Sequence, residues 1–250
     1  MEHDFEDIEV KQNAISLLDD ALRRRRSPCM IGFGAMTDPY IPLENELMYT
    51  RRALETAAKY GFGVTLITKS ASLLRDLDLF KEINFRSKCV VQMTLTTCDD
   101  DLCRKLEPNV STTGERFEAL MKLKEAGIPT VVWLCPILPF INDTAENING
   151  ILTYCENAGV KGIMCFGMGL TLREGNREYF YKSLDRLFPG LKEKYMRRYG
   201  NAYVLESPNG RKLGKIFRSR CSSAGIMHNN EAIFSYLGKF EQKDNQLSLF

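Results

Sequence analysis

The sequence predicts an α/β fold, a partial (β/α) TIM-like barrel with C-terminal helices on its flank. Three observations carry this expectation. A unit of amphipathic helix, glycine turn, short apolar strand and polar residues recurs along the first two thirds of the chain. The strands are apolar throughout, as they are when helices cover both faces of a parallel sheet. Nearly every strand also runs out into polar residues: Thr37-Asp38, Lys69-Ser70, Thr96-Thr97, Pro136, and the stretch from Gly167 to Thr171. A βα barrel gathers its working groups at that edge, from many strands at once. No glycine-rich dinucleotide or phosphate fingerprint follows a strand, which speaks against Rossmann and P-loop sheets. Five strands cannot close an eight-stranded barrel, so the barrel is read as partial and as lacking its first strand.

The elements follow in order. A helix over 11–25 places Ala14, Leu18, Ala21 and Leu22 on one face and leads into a strand over 30–35. A helix over 46–60, stopped by Gly61, precedes a strand over 64–68. A short helix over 73–83 precedes the strand 88–95. Thr112 and Glu115 form a capping box for a helix over 113–126, Gly127 ends it, and a strand follows over 131–135. Asp143 and Glu146 mark the next helix, with Ile148, Ile151, Leu152 and Cys155 as its buried face; Gly159 ends it before the strand 162–166. Segments 178–187, 191–199 and 213–225 read as polar, basic helices packed on the flank. The division expected is a partial barrel over 1–172, a helical extension over 173–238 and a flexible tail over 239–250.

Composition limits the function classes. With 250 residues and 44% apolar content, the chain can bury a core as one large domain. Its 34 Lys and Arg against 32 Asp and Glu leave a net charge of +2, which argues neither for nor against nucleic acid. No apolar run approaches 18 residues and no signal-peptide pattern opens the chain, so a soluble, cytoplasmic protein is expected. The eight cysteines read as reduced thiols, and no pair is spaced C-x2-C. With only His3 and His228 as histidines, a Cys/His zinc site is not expected.

The polar words after the strands carry a resemblance. GAMTDPYIPLE, TRRALE, ITKS followed by LLRDLDLF, TLTT, LEP, ER and PILPFIND, in that order, resemble the spore photoproduct lyase-like branch of the radical SAM superfamily, often described as DNA repair photolyase-like. The likeness runs from about Phe5 to the end of the chain. It implies a barrel of the radical SAM type that binds S-adenosylmethionine at its strand ends. Such enzymes cleave the cofactor reductively and abstract hydrogen from a substrate, here expected to be nucleic acid. By the same resemblance, Thr37 matches a hydroxyl that contacts the cofactor and Lys69 a lysine that meets its polar end. Thr94 or Thr96 fills the role of a hydroxyl on the next strand, and Arg116 is a candidate partner for a carboxylate. Taken alone, Lys69 reads as a surface lysine at a strand end, and Thr94 and Thr96 as β-formers. Asp38-Pro39 serves either as a turn or in the site. Glu107-Pro108 is either a loop stop or a means of orienting Arg116.

Two departures limit the transfer. The family holds a 4Fe-4S cluster through C-x3-C-x2-C, a spacing absent from this sequence. The resemblance places that motif upstream of Met1. The sequence therefore reads as a truncated frame, inactive alone, with true loss of the cluster as the alternative. Ala35 also stands close to where spore photoproduct lyases carry a hydrogen-donating cysteine. Cys98, Cys135 and Cys165 lie near strand ends and are candidates for that task, although buried thiols are more often structural.

The tail ends in Gln246, Leu247, Ser248, Leu249 and Phe250. QLSLF is similar to the pentapeptide that bacterial replication and repair proteins insert into the sliding clamp, and a polar tether with apolar anchors suits that task. The alternative is an apolar tail folded back on the core. Arg23 to Arg26 complement a helix C-terminus, and the basic residues within 192–198 and 211–220 offer a phosphate-contacting face. A rival reading of the chain is a non-enzymatic, clamp-tethered binding module that keeps the barrel as a scaffold. An ordinary βα-barrel lyase is a third, but its lysine base or metal ligand set is not found.

Overall fold

The computed structural model describes residues 8–243 apart from Glu174. Helix α1 (Ala14–Arg23) leads to strand β1 (Met30–Phe33). Helices α2 (Glu44–Leu47) and α3 (Tyr49–Lys59) precede β2 (Gly63–Thr68). A 3₁₀ turn over Ala71–Asp76 runs into α4 (Leu77–Arg86), and β3 (Cys89–Thr94) follows. Helices α5 (Asp100–Leu106) and α6 (Thr113–Glu125) come before β4 (Thr130–Trp133), and α7 (Ala145–Ala158) before β5 (Gly162–Met164). The five strands form one parallel sheet in the order β1-β2-β3-β4-β5. This is the expected partial barrel.

The helices differ from expectation where a side chain overrides the local pattern. The helix expected over 46–60 is broken at Met48, which takes a left-handed φ of 53°. Glu44 explains the break: its carboxylate accepts the N–H groups of Tyr49 at 3.0 Å and Thr50 at 2.8 Å, and so caps α3 from the preceding turn. Helix α5 was not anticipated, although Asp99 Oδ1 caps it by accepting from Asp101 N and Leu102 N. The capping box of Thr112 and Glu115 is present as expected.

Beyond the sheet, β6 (Gly169–Thr171) pairs antiparallel with a later strand across helices α8 (Asn176–Leu187) and α9 (Leu191–Tyr199). That strand is β7 (Val204–Glu206), followed by α10 (Gly210–Ser223) and α11 (Asn230–Gly238). The strands β6 and β7 and helix α11 were not anticipated; three-residue strands and a nine-residue helix carry little periodicity. Leu170, Leu172, Leu184, Tyr195 and Leu205 form a small core of their own here.

Alternation along the strands divides the sheet into two faces. Leu66, Val91, Met93, Val132 and Ile163 point outward, where they meet residues such as Leu54, Phe80, Leu120, Leu123, Ile151 and Phe217 in the main core. Burying each such side chain contributes roughly 1.5–3 kcal/mol. The inner face carries Thr65, Gln92, Thr94 and Trp133 besides Val90, Val131 and Met164. Helix α11 covers the lower part of this face with Ile233 and Leu237.

The link between α10 and α11 runs along β5 and continues the ladder. Met227 accepts the Ile163 N–H at 2.8 Å and donates to Lys161 O at 3.1 Å. Lys88, 3% exposed, fastens the end of α11 by donating to Tyr236 O, Lys239 O and Glu241 Oε1 at 2.7, 3.1 and 2.9 Å. Among the described residues, no helix is long and apolar enough to cross a membrane.

Candidate functional site

At the carboxyl edge of the sheet the chain turns sharply out of β1. Gly34 has φ +90°, and a Cβ there would lie 2.2 Å from Ile67 O, so β1 can leave flush against β2 only with glycine at this position. Asp38 then binds the turn to β2. Its Oδ1 accepts from Thr68 Oγ1 at 2.7 Å and Tyr40 N at 2.9 Å, and its Oδ2 from Lys69 N at 2.7 Å. Of the two uses open to Asp38, it takes the structural one. Tyr40 Oη donates in turn to Asp76, which is fully buried between Arg51 and Arg75. Thr37 stands exposed in the turn itself.

Lys69 leaves β2 and donates Nζ to Glu107 Oε1 at 2.5 Å. The other oxygen, Oε2, accepts from Arg116 at 2.8 Å. Burial works to raise the Glu107 carboxyl, but the charges and hydrogen bonds of Lys69 and Arg116 together hold it below its ordinary range. Arg116 is 0% exposed and also donates to Thr94 O at 3.0 Å and Ser111 O at 2.8 Å. Its guanidinium therefore faces inward as a brace between β3, the loop after α5 and Glu107. Glu107 is the group that orients it. Lys69 differs: its side chain is 35% exposed, and an ammonium has three donors.

On β3 the exit is held by asparagines. Asn142 Nδ2 and Asn147 Nδ2 both donate to Thr96 O, at 2.9 and 3.0 Å, while Asn147 Oδ1 accepts the Cys98 N–H at 2.8 Å. Thr94 and Thr96 are buried, and neither hydroxyl has a hydrogen-bond partner among the described residues. On the inner face below them, Trp133 Nε1 donates to Gln92 Oε1 at 2.7 Å, and Gln92 Nε2 to Thr65 Oγ1 at 2.8 Å. Sequence reasoning missed Gln92, Asn142 and Asn147. Asn142 and Asn147 lay in view, flanking the start of a helix; Gln92 looked like any strand residue.

The structure thus brings Thr37, Lys69, Thr94 and Thr96 to the edge as accessible or unpartnered polar groups and places Arg116 beneath it. S-adenosylmethionine offers an amino group, a carboxylate, a ribose and an adenine, and this donor set suits the first three. The thiols do not suit an iron–sulfur cluster, which needs thiolates gathered on one iron centre. Burial pushes Cys89 up to about 12 and Cys135 up to about 11, the latter against the pull of Lys69. Burial likewise raises Cys155, Cys165 and Cys221. Among the described residues, no three His, Cys, Asp or Glu side chains gather in a way that could hold a metal ion.

No family model matches the chain. An uncharacterized protein of Mycobacterium tuberculosis is 30% identical over 193 residues, which cover 76% of this chain and 56% of that protein. An uncharacterized protein of Methanocaldococcus jannaschii is 31% identical over 134 residues, 54% of this chain and 49% of that one. A radical SAM Nalpha-GlyT isomerase of Pseudomonas phage M6 is 23% identical over 134 residues, 54% of this chain and 27% of its own length. The chain therefore spans about half the length of the first two.

Among solved structures, spore photoproduct lyase with bound AdoMet and dinucleoside spore photoproduct superposes with a TM-score of 0.59 at 14% identity, covering 86% of this chain and 64% of that one. SuiB of Streptococcus suis bound to S-adenosylmethionine gives 0.55 at 10% identity, over 90% of this chain and 44% of its own. A domain of a pyruvate-formate lyase-activating enzyme from Bacteroides vulgatus gives 0.51 at 9% identity, over 81% and 98%. The fold is that of the radical SAM enzymes, a partial βα barrel. Of these three, the spore photoproduct lyase structure gives the highest TM-score, in keeping with the likeness expected from the sequence.

Proposed function

We propose that the chain is the S-adenosylmethionine-binding part of a radical SAM protein of the spore photoproduct lyase-like group that acts on nucleic acid. One observation carries the reading: a barrel of the radical SAM kind holds Lys69 aimed by Asp38 at the strand edge, beside the unpartnered hydroxyls of Thr94 and Thr96. The chemistry that S-adenosylmethionine supplies in such enzymes is radical hydrogen abstraction. The residues of this chain bind and orient: the free donors of Lys69 meet the carboxylate, and Thr37, Thr94 and Thr96 meet the remaining polar groups. Because its thiols do not suit a cluster, the chain on its own binds the cofactor without cleaving it.

Calorimetric titration with S-adenosylmethionine tests this. Binding in the micromolar to millimolar range, weakened about tenfold by Lys69→Ala, supports the reading. Absence of any binding overturns it and favours a non-enzymatic module. Anaerobic reconstitution with iron and sulfide tests the second part: stoichiometric cluster together with 5′-deoxyadenosine release would refute inactivity of the isolated chain. We propose further that Gln246 to Phe250 bind the bacterial sliding clamp. This pentapeptide lies outside the described residues, and its support is the sequence pattern.

A further inference from the structure

Three rings meet on the inner face where α11 stops covering it. Trp133 and Phe166 lie with centroids 5.6 Å apart, Trp133 and Phe234 at 6.4 Å, and Phe166 and Phe234 at 6.3 Å. Such contacts hold the rings in place as a group. Yet Phe166 is 60% and Phe234 49% exposed. The indole is further fixed by its bond to Gln92. The rings come from β4, the segment after β5 and α11, so this is a preset platform of π-faces open to solvent.

Beside it runs a row of cations. Helix α10 contains no acidic residue, and its exposed face carries Arg211, Lys212, Lys215 and Arg218. Positions 211, 215 and 218 share one side of a helix and span about 10 Å. None of the four has a hydrogen-bond or ion-pair partner among the described residues. Arg211 and Lys212 also stand in the first turn, where the helix dipole disfavours positive charge, so helix stability does not account for them. The row flanks the loop that carries Phe166: a Cβ added at Gly210 would touch Met168 at 3.7 Å, and the charge of Arg218 reaches Cys165, the residue before Phe166, where it opposes the rise caused by burial.

We propose that the platform and the cation row together bind single-stranded nucleic acid, a base stacking on the exposed rings while neighbouring phosphates lie along α10. Aromatic faces combined with a positive track are the general means of holding single strands, whose bases are free to stack. A duplex keeps its bases paired and offers the row only phosphates. The proposal rests on the nucleic-acid part of the function proposed above and names the form of the substrate and its seat. Bases placed here lie over the same inner face as Thr94, toward the edge where Lys69 stands.

The chain contains one tryptophan, so Trp133 reports on the platform directly. A 12-residue oligo-dT is titrated into the full chain without S-adenosylmethionine, following tryptophan emission. The expected result is quenching, with an affinity that falls with salt at a log–log slope of about −3 for four cations. Replacing Arg211, Lys212, Lys215 and Arg218 with Gln should weaken binding at least tenfold and flatten that slope. Phe166→Ala should weaken it about tenfold with the slope kept, and far-UV circular dichroism checks that both variants are folded. Three results would overturn the proposal: no quenching by oligo-dT, equal quenching by free thymidine monophosphate at the same nucleotide concentration, or equal affinity for a blunt duplex of the same length. The titration contains no cofactor, so failure of cofactor binding and failure of strand binding are read separately.

Discussion

The Asp38 carboxylate holds the backbone of Lys69: Oδ2 accepts its N–H at 2.7 Å while Oδ1 accepts the hydroxyl of Thr68. The turn after the first strand therefore aims the residue that leaves the second. Replacing Asp38 with Ala strands one hydroxyl and two N–H groups in a partly buried setting. The expected loss is about 2 kcal/mol in urea unfolding, together with weaker binding of S-adenosylmethionine. Asp38→Asn keeps one acceptor and should recover part of the stability.

Glu107 gives the protein a pH-dependent joint. Its carboxyl is held below the ordinary value of 4.5 in the folded state despite burial, by Lys69 and Arg116. A depressed folded pKa contributes stability above the unfolded pKa and loses it as pH falls through the folded one. Wild type should therefore lose stability more steeply below about pH 4.5 than Glu107→Gln, and the two curves should approach each other in strong acid. Parallel curves from pH 7 to pH 3 would show that the joint contributes nothing. Arg116→Met at pH 7 should be destabilising by about 3 kcal/mol, because it leaves part of a buried charge unpaired.

Gly34→Ala forces a Cβ into Ile67 O and requires a positive φ of a residue that resists it. Loss of about 3 kcal/mol is expected, measured by thermal unfolding. Gly61, which also has positive φ but nothing within 4 Å of an added Cβ, should tolerate alanine better.

Lys88→Met removes three hydrogen bonds from the end of α11. Amide exchange over residues 230–243 should accelerate by at least tenfold while β3 keeps its protection. Equal acceleration throughout the sheet would mean that the lysine supports the whole fold rather than this one fastening.

Deleting Gln246 to Phe250 should abolish binding to purified sliding clamp in surface plasmon resonance and leave the melting temperature unchanged. Full retention of binding rejects the clamp proposal.

The five-stranded sheet was legible because each strand followed a helical pattern, three of them after a glycine stop at Gly61, Gly127 and Gly159, and ran into polar residues, as at Lys69. What escaped depends on contacts distant in sequence. The break at Met48 is set by Glu44 reaching over the turn, a capping pattern that helical periodicity does not display. Arg116 was a candidate partner for a carboxylate, and it does bind one, but that of Glu107. Nothing local distinguishes an external anion from an internal one. The platform of Trp133, Phe166 and Phe234 needs the register of β4 with β5 and the position of a helix seventy residues further on. In sequence these are three unrelated aromatics.

The bolt formed by Lys88 has a consequence for synthesis. Its acceptor Glu241 lies 153 residues downstream. On the ribosome all five strands of the parallel sheet emerge before α11 exists to cover Val90, Val131 and Met164. Through that interval the nascent sheet has an oily, unshielded underside and a cation awaiting its carbonyls. The segment that closes it, α11 and the residues up to Glu241, emerges only after all five strands. Factors that shield nascent chains therefore have a defined interval in which to act, and a message cut short before codon 230 yields a half-barrel open at its base.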